Sequence, residues 1–157
     1  GTNVRAILPL VDVAIGTEEE INAAMLQDPK DVEIKDSQIS APIIKGNTSK
    51  NIKALLSVPN GPEALVVKRG PKGATIHLRS GEVIKVSGFP VEIYNVVGAG
   101  DAFASGFIYG RTKGWDWYKA ARMGNACGAI VVTRHGCANF MGYEKEVLDF
   151  VKARGGF

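Results

Sequence analysis

The sequence predicts an α/β fold in which a layered sheet is flanked by helices. Short apolar runs typical of buried strands alternate with helical segments, a hairpin pattern lies near the middle of the chain, and the last third has a helical pattern. The chain has 157 residues, of which 45% are hydrophobic and 22% charged, so it has the size and composition of one ordinary globular domain. We therefore expect residues 1–157 to form a single domain.

The first strand and helix are predicted near the start of the chain. A short apolar run stops at Gly16, which is typical of a buried strand that ends in a turn; its members are Val11, Val13, Ala14 and Ile15. Thr17 and Glu20 have the spacing of a capping box, and the acidic residues that follow Thr17 are favoured by the dipole of a helix in its first turn. A helix is therefore expected from this point to about Leu26.

A second helix and four strands are predicted in the middle of the chain. Residues 27–47 are polar and show no sustained period, so we expect an irregular or edge region there. Ser49 is expected to cap a helix that runs through Leu56. The predicted strands, which are either fully apolar or alternate apolar and polar residues, are 65–67, 75–78, 83–86 and 91–93.

Three helices are predicted after the last strand, at residues 101–112, 116–133 and 143–154. The first of them contains small residues, including Gly106 and Gly110, which we expect to leave room for close packing against a sheet. Strands that alternate with helices and end in a helical tail are typical of layered α/β folds.

Composition excludes several classes of function. The net charge is +3 and no block of five or six like charges occurs, so nucleic acid is not an expected partner. No stretch reaches the roughly 18 to 20 apolar residues that cross a bilayer, and the start lacks a targeting pattern. We therefore expect a cytoplasmic protein with no membrane partner. Cys127 and Cys137 lack the spacing of a metal site and are expected to be buried free thiols.

A glycine-rich turn between a predicted strand and a helix is the most informative motif. It reads Asn-Val-Val-Gly-Ala-Gly-Asp-Ala-Phe over residues 95–103. Such a turn points backbone N–H groups outward at the positive end of the helix dipole, so it can hold a phosphate or a developing oxyanion. Gly98 and Gly100 let the backbone approach that group closely because neither carries a Cβ.

Asp101 is unusual in a turn that only binds an anion, because its carboxylate would compete with a phosphate. Its presence is explained if it accepts a proton from an attacking hydroxyl while neighbouring amides stabilise a transferring phosphoryl group. A simple helix cap is the alternative that the residues alone leave open. The turn is not a P-loop, since no Gly-Lys-Ser/Thr follows it, and it lacks the third glycine of the dinucleotide fingerprint.

Residues 98–107, Gly-Ala-Gly-Asp-Ala-Phe-Ala-Ser-Gly-Phe, closely resemble the C-terminal signature of the ribokinase-like (PfkB) carbohydrate kinases. The resemblance extends in the same order over nearly the whole chain. It implies a ribokinase-like layered sheet of which this chain is the C-terminal half, without the lid and the N-terminal half. It also implies in-line attack of a substrate hydroxyl on MgATP, with Asp101 as the base and the amides of Ala99, Gly100 and Asp101 stabilising the charge.

The resemblance also implies a metal-binding residue. Residues 11–20 look like the family's strand and turn with an Asn-x-x-Glu motif, which organises magnesium and phosphate through water. This chain has Gly16 in place of the Asn and keeps Glu19 at the Glu position. Glu19 is therefore the candidate for Mg²⁺, and a first-turn helix acid is the alternative interpretation.

Two further segments resemble nucleotide contacts of the family. Residues 68–73 are similar to a Gly-x-x-Gly turn that lies along the nucleotide, which implies Lys68, Gly70 and Gly73 as ATP-binding residues. Residues 123–126 and 132–137 resemble the helix and loop that flank the adenine and, in many members, a monovalent cation. Asn125 is the candidate nearest the base. Without the resemblance, the turn is an ordinary connection between strands and Asn125 a helix-surface amide.

Within the family, residues 16–20, Asn95 and residues 107–110 most resemble the branch that phosphorylates 5-dehydro-2-deoxygluconate in inositol catabolism. Kinases of 2-keto-3-deoxygluconate are the alternative. A small sugar or sugar acid is therefore the expected substrate, and a homodimer is compatible with the family. Because sugar recognition in these kinases comes largely from the N-terminal half, we expect the chain to be a fragment that needs that half for activity.

Two other classes of function remain open: a non-catalytic nucleotide-binding module and an inactive fragment of a kinase. A dinucleotide-binding oxidoreductase is disfavoured. In that class the acidic residue lies at the end of a second strand, roughly 20 residues beyond the glycine turn, whereas Asp101 lies inside the turn.

Overall fold

The computed structural model describes residues 2–26, 32–34, 42–44, 46–136 and 138–157. The helices within these ranges are α1 (Thr2–Ile7), α2 (Glu18–Ala24), α3 (Thr48–Leu56), α4 (Ala99–Thr112), α5 (Trp117–Val132) and α6 (Glu144–Lys152). The strands are β1 (Val13–Thr17), β2 (Val32–Ile34), β3 (Pro42–Ile44), β4 (Ala64–Lys68), β5 (Ala74–Leu78) and β6 (Val83–Val86). Short 3₁₀ helices occupy Leu8–Leu10, Gly70–Lys72 and Ala138–Phe140.

The main sheet has four strands in the order β1-β4-β5-β6. β1 and β4 are parallel, with Val13 opposite Ala64 and Thr17 opposite Lys68. Parallel neighbours need a crossover connection, and α2 and α3 lie in the sequence between these two strands. β2 and β3 form a separate antiparallel pair. The architecture confirms the predicted α/β class.

The chain divides into two compact units. The first contains the residues up to Lys68 together with Ile76–Val83, and the second contains Arg69–Thr75 together with Ile84–Phe157. The expectation of a single domain over residues 1–157 stays a prediction. A core of buried aliphatic side chains holds the first unit together, consisting of Leu8, Ile21, Ala24, Ile52, Leu55, Leu56, Leu65 and Val67.

The core of the second unit lies around α5 and α6. Its buried members are Phe89, Met123, Ala126, Ala129, Ile130, Val147 and Val151. α4 lies against α5 at glycines: a Cβ built on Gly106 would lie 2.6 Å from Sγ of Cys127, and one on Gly124 would lie 2.7 Å from the carbonyl oxygen of Phe103. The small residues of α4 therefore allow close packing against a helix, where the sequence suggested a sheet.

The capping box predicted at the start of α2 is confirmed. The amide of Glu20 donates to Oγ1 of Thr17 at 3.2 Å, and the amide of Thr17 donates to Oε2 of Glu20 at 2.6 Å. The predicted strands 65–67, 75–78 and 83–86 correspond to β4, β5 and β6. The three C-terminal helices are also present, each within about two residues of the predicted bounds.

Two local predictions were wrong. α3 is capped by Asn47, whose side chain accepts from the amide of Lys50 at 2.9 Å, because Ser49 already lies inside the helix. The expectation of an irregular or edge region at 27–47 is not among them: the structure describes β2 and β3 there, and residues 27–31, 35–41 and 45 lie outside the described residues. Residues 91–93 form no strand, and the chain just after them is held by the carbonyl of Val132 instead.

None of the described helices is long and apolar enough to cross a bilayer. Cys127 is a free thiol as predicted, but it is half-buried rather than buried. The expectation for Cys137 falls outside the described residues.

Candidate functional site

The turn before α4 has the conformation that its glycine predicts. Gly98 is the N-cap residue and has a left-handed backbone, with φ 83° and ψ −4°. Residues with a Cβ are disfavoured in this region, whereas glycine enters it at little steric cost. Gly98 thus lets the chain reverse sharply into α4, so that the next three residues form its first turn.

The amides of this first turn are not equivalent. The amide of Ala99 donates to the carbonyl of Val96 at 3.2 Å, and the amide of Ala102 makes the first bond of the helix, to Gly98, at 2.9 Å. The amides of Gly100 and Asp101 lie between them, at positions that have no acceptor within a helix. An anion placed at this end of α4 would meet these two amides and the positive end of the helix dipole.

Asp101 itself is exposed, in the first turn of this helix. α4 has no side-chain cap hydrogen bond. The main-chain carbonyl of Asp101 accepts from Oγ of Ser105 at 2.8 Å, whereas its carboxylate faces solvent. The helix-cap interpretation of Asp101 is therefore not borne out, and its role as a proton acceptor stays a prediction.

The segment that leads into the turn is tied to the end of α5. The amides of Tyr94 and Asn95 both donate to the carbonyl of Val132, at 2.8 and 3.0 Å. The Asn95 side chain accepts from the amide of Val97 at 3.0 Å, and the Tyr94 ring lies 4.1 Å from the ring of His135. These contacts fix the approach to Gly98, and apart from the position of Asn95 no sequence pattern indicated them.

The turn at residues 70–73 is a single 3₁₀ turn closed by its own backbone. The amide of Arg69 donates to the carbonyl of Gly73 at 2.8 Å, and the amide of Gly73 donates to Gly70 at 2.9 Å. Gly70 and Gly73 have φ values of 55° and 91°, so both use the freedom of glycine. A Cβ on Gly73 would lie 2.1 Å from the carbonyl oxygen of Val86, so this turn packs directly on the backbone that follows β6.

Asn125 is buried on α5, with 8% of its surface exposed. Its Nδ2 donates to the carbonyls of Val86 and Ser87, at 3.2 and 3.0 Å. The structure thus brings Asn125 and Gly73 to the same stretch of main chain at the end of β6. The interpretation as a helix-surface amide is wrong, because the side chain is enclosed and hydrogen-bonded.

Glu19 and Lys68 belong to the first unit, whereas the other candidate residues belong to the second. Glu19 is exposed in the first turn of α2. Lys68 forms an ion pair with Glu20, the residue after Glu19: its Nζ lies 3.8 Å from Oε2 of Glu20. Among the described residues, no three His, Cys, Asp or Glu side chains come together as a metal-binding group.

Arg122 is a residue of this region that sequence reasoning missed. Its Nη1 donates to the carbonyl of Ser87 at 2.9 Å, and its guanidinium carbon lies 3.6 Å from the centre of the Phe89 ring. Arg122 precedes Asn125 by three residues, so the two share one face of α5. That spacing was the available signal, but a single arginine on a helix has too many other uses to be assigned from it.

The curated proteins most similar to this chain include 5-dehydro-2-deoxygluconokinases. The one from Clostridium tetani (strain Massachusetts / E88) is 38% identical over 94 residues, which are 60% of this chain and 28% of that protein. The one from Clostridium botulinum (strain Alaska E43 / Type E3) is 34% identical over 112 residues, which are 71% of this chain and 33% of that protein. The chain thus spans about a third of the length of these relatives.

Solved structures give the same relationship. A candidate ribokinase II from E. coli, in complex with ATP and Mg²⁺, matches 97% of this chain and 42% of its own, with a TM-score of 0.76 and 27% identity. The ribokinase of Thermotoga maritima matches 94% of this chain and 44% of its own, with a TM-score of 0.75 and 25% identity. The model of the pfkB family carbohydrate kinases matches residues 2–142. On these matches, which cover most of its length, the chain belongs to the pfkB family of carbohydrate kinases.

Proposed function

We propose that this chain carries the nucleotide-binding and phosphoryl-transfer part of a kinase that phosphorylates a hydroxyl of a sugar or sugar acid with ATP. The observation that carries the proposal is the exposed carboxylate of Asp101 in the first turn of α4, beside the amides of Gly100 and Asp101. A proton acceptor and an anion-binding helix end therefore lie within one turn. Transfer of a phosphoryl group to a hydroxyl requires both.

In the proposed reaction, the substrate hydroxyl oxygen attacks the γ-phosphorus of ATP and its proton passes to Asp101. The bond from the γ-phosphorus to the oxygen that bridges to the β-phosphate breaks, and ADP leaves with that electron pair. Charge that develops on the transferring group is stabilised by the amides of Gly100 and Asp101 and by the dipole of α4. Because the amide of Ala99 is bonded to Val96, we assign Ala99 and Gly98 to the shape of the turn.

We propose that the turn Gly70–Gly73 and Lys68 contact the nucleotide, as the family resemblance implies. Within the part of the chain that the structure describes, no atom other than those of its chain neighbours lies within 4 Å of a Cβ built on Gly70, so the outer side of the turn is open. An open glycine backbone leaves room for a ligand that lies along it. Asn125, which the resemblance places near the adenine, donates its amide hydrogens to main-chain carbonyls, so we do not assign it a contact with the base.

We propose that the reaction uses Mg²⁺, and a single exposed carboxylate, that of Glu19, fits the way this ion binds. Mg²⁺ keeps several waters and binds through one or two carboxylates plus substrate phosphates, so it needs no cage of protein ligands. The exposed carboxylate of Glu19 is the residue that would hold it, through water. When bound with ATP, the ion neutralises charge on the phosphates. A monovalent cation beside residues 132–137 stays a prediction.

We propose 5-dehydro-2-deoxygluconate as the first substrate to test, because the relatives at 38% and 34% identity are named for it. We also propose that the rest of such a kinase supplies most of the sugar-binding residues, since the chain spans about a third of those relatives. Apolar side chains are exposed just before the glycine turn at Gly98, which supports the proposal that another segment covers them. They are Ile93, Tyr94, Val96 and Val97. A homodimer is a further proposal that these observations leave open.

The test has two stages. First, the chain is titrated calorimetrically with MgATP and, in parallel, with NAD; we expect saturable binding of MgATP alone. Second, a protein that contains this chain together with the N-terminal part of a relative is assayed for transfer of labelled phosphate to 5-dehydro-2-deoxygluconate and to 2-keto-3-deoxygluconate. Nucleotide binding without any transfer would favour a non-catalytic module, and binding of NAD without ATP would contradict the kinase proposal.

A further inference from the structure

Arg122 and Asn125 hold the same stretch of main chain, residues 86–88, from one face of α5. Nδ2 of Asn125 donates to the carbonyls of Val86 and Ser87, at 3.2 and 3.0 Å. Nη1 of Arg122 donates to the carbonyls of Ser87 and Gly88, at 2.9 and 3.5 Å. Each carbonyl in this stretch therefore accepts a hydrogen bond from α5.

Residues 86–88 also contact the turn at residues 70–73, backbone against backbone. A Cβ on Gly73 would lie 2.1 Å from the carbonyl oxygen of Val86 and 2.4 Å from the nitrogen of Gly88. A Cβ on Gly88 would lie 2.3 Å from the carbonyl oxygen of Pro71. With no side chain between the two backbones, a displacement of residues 86–88 must displace the turn.

Arg122 is itself held firmly in place. Its guanidinium lies over the Phe89 ring, with the guanidinium carbon 3.6 Å from the ring centre. Its Nε and Nη2 lie 3.4 and 3.5 Å from the carbonyl oxygens of Gly156 and Arg154. An arginine bound on several sides keeps one geometry, because the entropy of its side chain is already lost.

The amide nitrogen of Asn125 is engaged by the protein itself. The side-chain NH₂ of asparagine has two donors, and two carbonyls accept from it here. This nitrogen is thus held inside the protein, although the residue lies in the segment that resembles an adenine-flanking helix. Its position in the protein and its hydrogen bonds both favour a role inside the protein.

We infer that Asn125 and Arg122 are positioning residues that set the place of the turn Gly70–Gly73 through the carbonyls of residues 86–88. The inference deepens the proposed function and rests on it for one consequence, that the placed turn contacts the nucleotide. The positioning effect itself is a property of the chain without any ligand. The two parts can therefore be measured separately.

The first measurement is hydrogen exchange of the amides of Arg69, Lys72 and Gly73 in the ligand-free chain. All three donate within the turn, at 2.8, 3.2 and 2.9 Å. Asn125→Ala is expected to speed their exchange by roughly tenfold, because it removes two hydrogen bonds that hold the supporting backbone. Exchange in α3, in the other unit, is recorded in the same sample to report any general loss of stability.

Arg79→Met is the matched control, and Arg122→Met is the second test variant. Arg79 also donates to two main-chain carbonyls, those of Pro62 and Val58, each at 3.1 Å, but all three residues belong to the first unit and the turn to the second. Arg79→Met should speed exchange of the Gly61 amide, which donates to the carbonyl of Val58 at 2.9 Å, and leave exchange in the turn at residues 70–73 unchanged. If Asn125→Ala does not fold, Arg122→Met carries the same expectation. Unchanged turn amides, or a change no larger than that in α3, would overturn the inference.

The second measurement compares the affinities for MgATP and MgGTP. A displaced turn should weaken both by a similar factor, roughly three- to tenfold, because it acts on the nucleotide without reading the base. A loss confined to ATP would mean that Asn125 contacts the adenine and would overturn the positioning role. If the unaltered chain binds neither nucleotide while the exchange effect is present, the proposed function fails and the positioning inference stands.

Discussion

Asp116 accepts a hydrogen bond from the amide of Lys119 at 2.8 Å and so caps α5 with its side chain. Asp101 also lies at the start of a long helix, but α4 is capped by Gly98 and has no side-chain cap. Both aspartates are exposed. One carboxylate is therefore committed to helix structure, and the other is available for chemistry. This difference makes Asp116 a control for any experiment on Asp101.

In the protein that joins this chain to the N-terminal part of a relative, Asp101→Asn is expected to lower kcat by roughly 100- to 10,000-fold, the usual contribution of a general base. The Asn side chain keeps the size and removes the proton acceptor, so KM for MgATP should change little. Asp116→Asn should leave kcat unchanged, because asparagine is also a good N-cap residue. Steady-state kinetics with both variants measures the difference. Full activity of Asp101→Asn would rule out the proposed base.

The turn at residues 70–73 allows a matched pair of glycine substitutions. Gly73 has φ 91°, and its Cβ would lie 2.1 Å from the Val86 carbonyl, so Gly73→Ala meets both backbone strain and a clash. We expect it to lower the free energy of unfolding by about 3 to 5 kcal/mol. Gly70 has φ 55° and open space around it, so Gly70→Ala should cost only about 1 kcal/mol.

Urea unfolding of the two variants measures these costs. The nucleotide titration adds a second readout, since Gly73→Ala should also weaken MgATP binding by displacing the turn. Equal losses of stability in both variants would mean that the close approach of Gly73 to residues 86–88 is not maintained in solution.

Local signals allowed most elements to be predicted from the sequence. The capping box of Thr17 and Glu20, and the glycine turn ahead of Asp101, each act within a few residues, so their geometry follows from spacing. Asn47 was missed as the cap of α3 because Thr48 and Ser49 also have good capping side chains, and only the structure decides between them.

Contacts between distant segments could not be predicted in this way. The burial of Asn125 depends on the carbonyls of Val86 and Ser87, which are 39 and 38 residues away in the sequence. The path of the chain just after residues 91–93 likewise depends on a tertiary contact, since the Val132 carbonyl accepts from the amides of Tyr94 and Asn95. A propensity for extended structure does not specify its hydrogen-bonding partner.

Two glycines on α5, Gly124 and Gly128, should change the free energy of unfolding in opposite directions when each is replaced by alanine. A Cβ on Gly124 would lie 2.7 Å from the Phe103 carbonyl oxygen and 3.0 Å from the Phe103 ring, so Gly124→Ala should push α4 away and cost about 1 to 3 kcal/mol. A Cβ on Gly128 would have its nearest contact at 3.4 Å, which is ordinary. Gly128→Ala should therefore stabilise the protein by roughly 0.5 to 1 kcal/mol, through helix propensity.

Thermal or urea unfolding of the two variants tests this sign change. The glycines lie one helical turn apart on the same helix, so a general effect of alanine on α5 would move both in the same direction. Destabilisation by both would show that the space at Gly128 is smaller than the structure gives it.

Stability at high pH should depend on Cys127. Burial raises the pKa of its thiol from 9.0 to about 11. Below pH 9 the thiol is neutral in both folded and unfolded chains, so it adds no pH dependence. Between about pH 9 and 11 the unfolded chain ionises first, and stability is therefore lost as the pH rises through this window.

Cys127→Ala should remove this part of the slope. The free energy of unfolding of both proteins is measured by urea titration at several pH values from 8 to about 10.5, within the window that the raised thiol pKa defines. The unaltered chain should lose stability more steeply above pH 9 than the variant. Tyr109 and Lys145, whose pKa values are also raised, are present in both proteins and cancel in the difference. Parallel curves would mean that the thiol is as accessible to water in the folded chain as in the unfolded one.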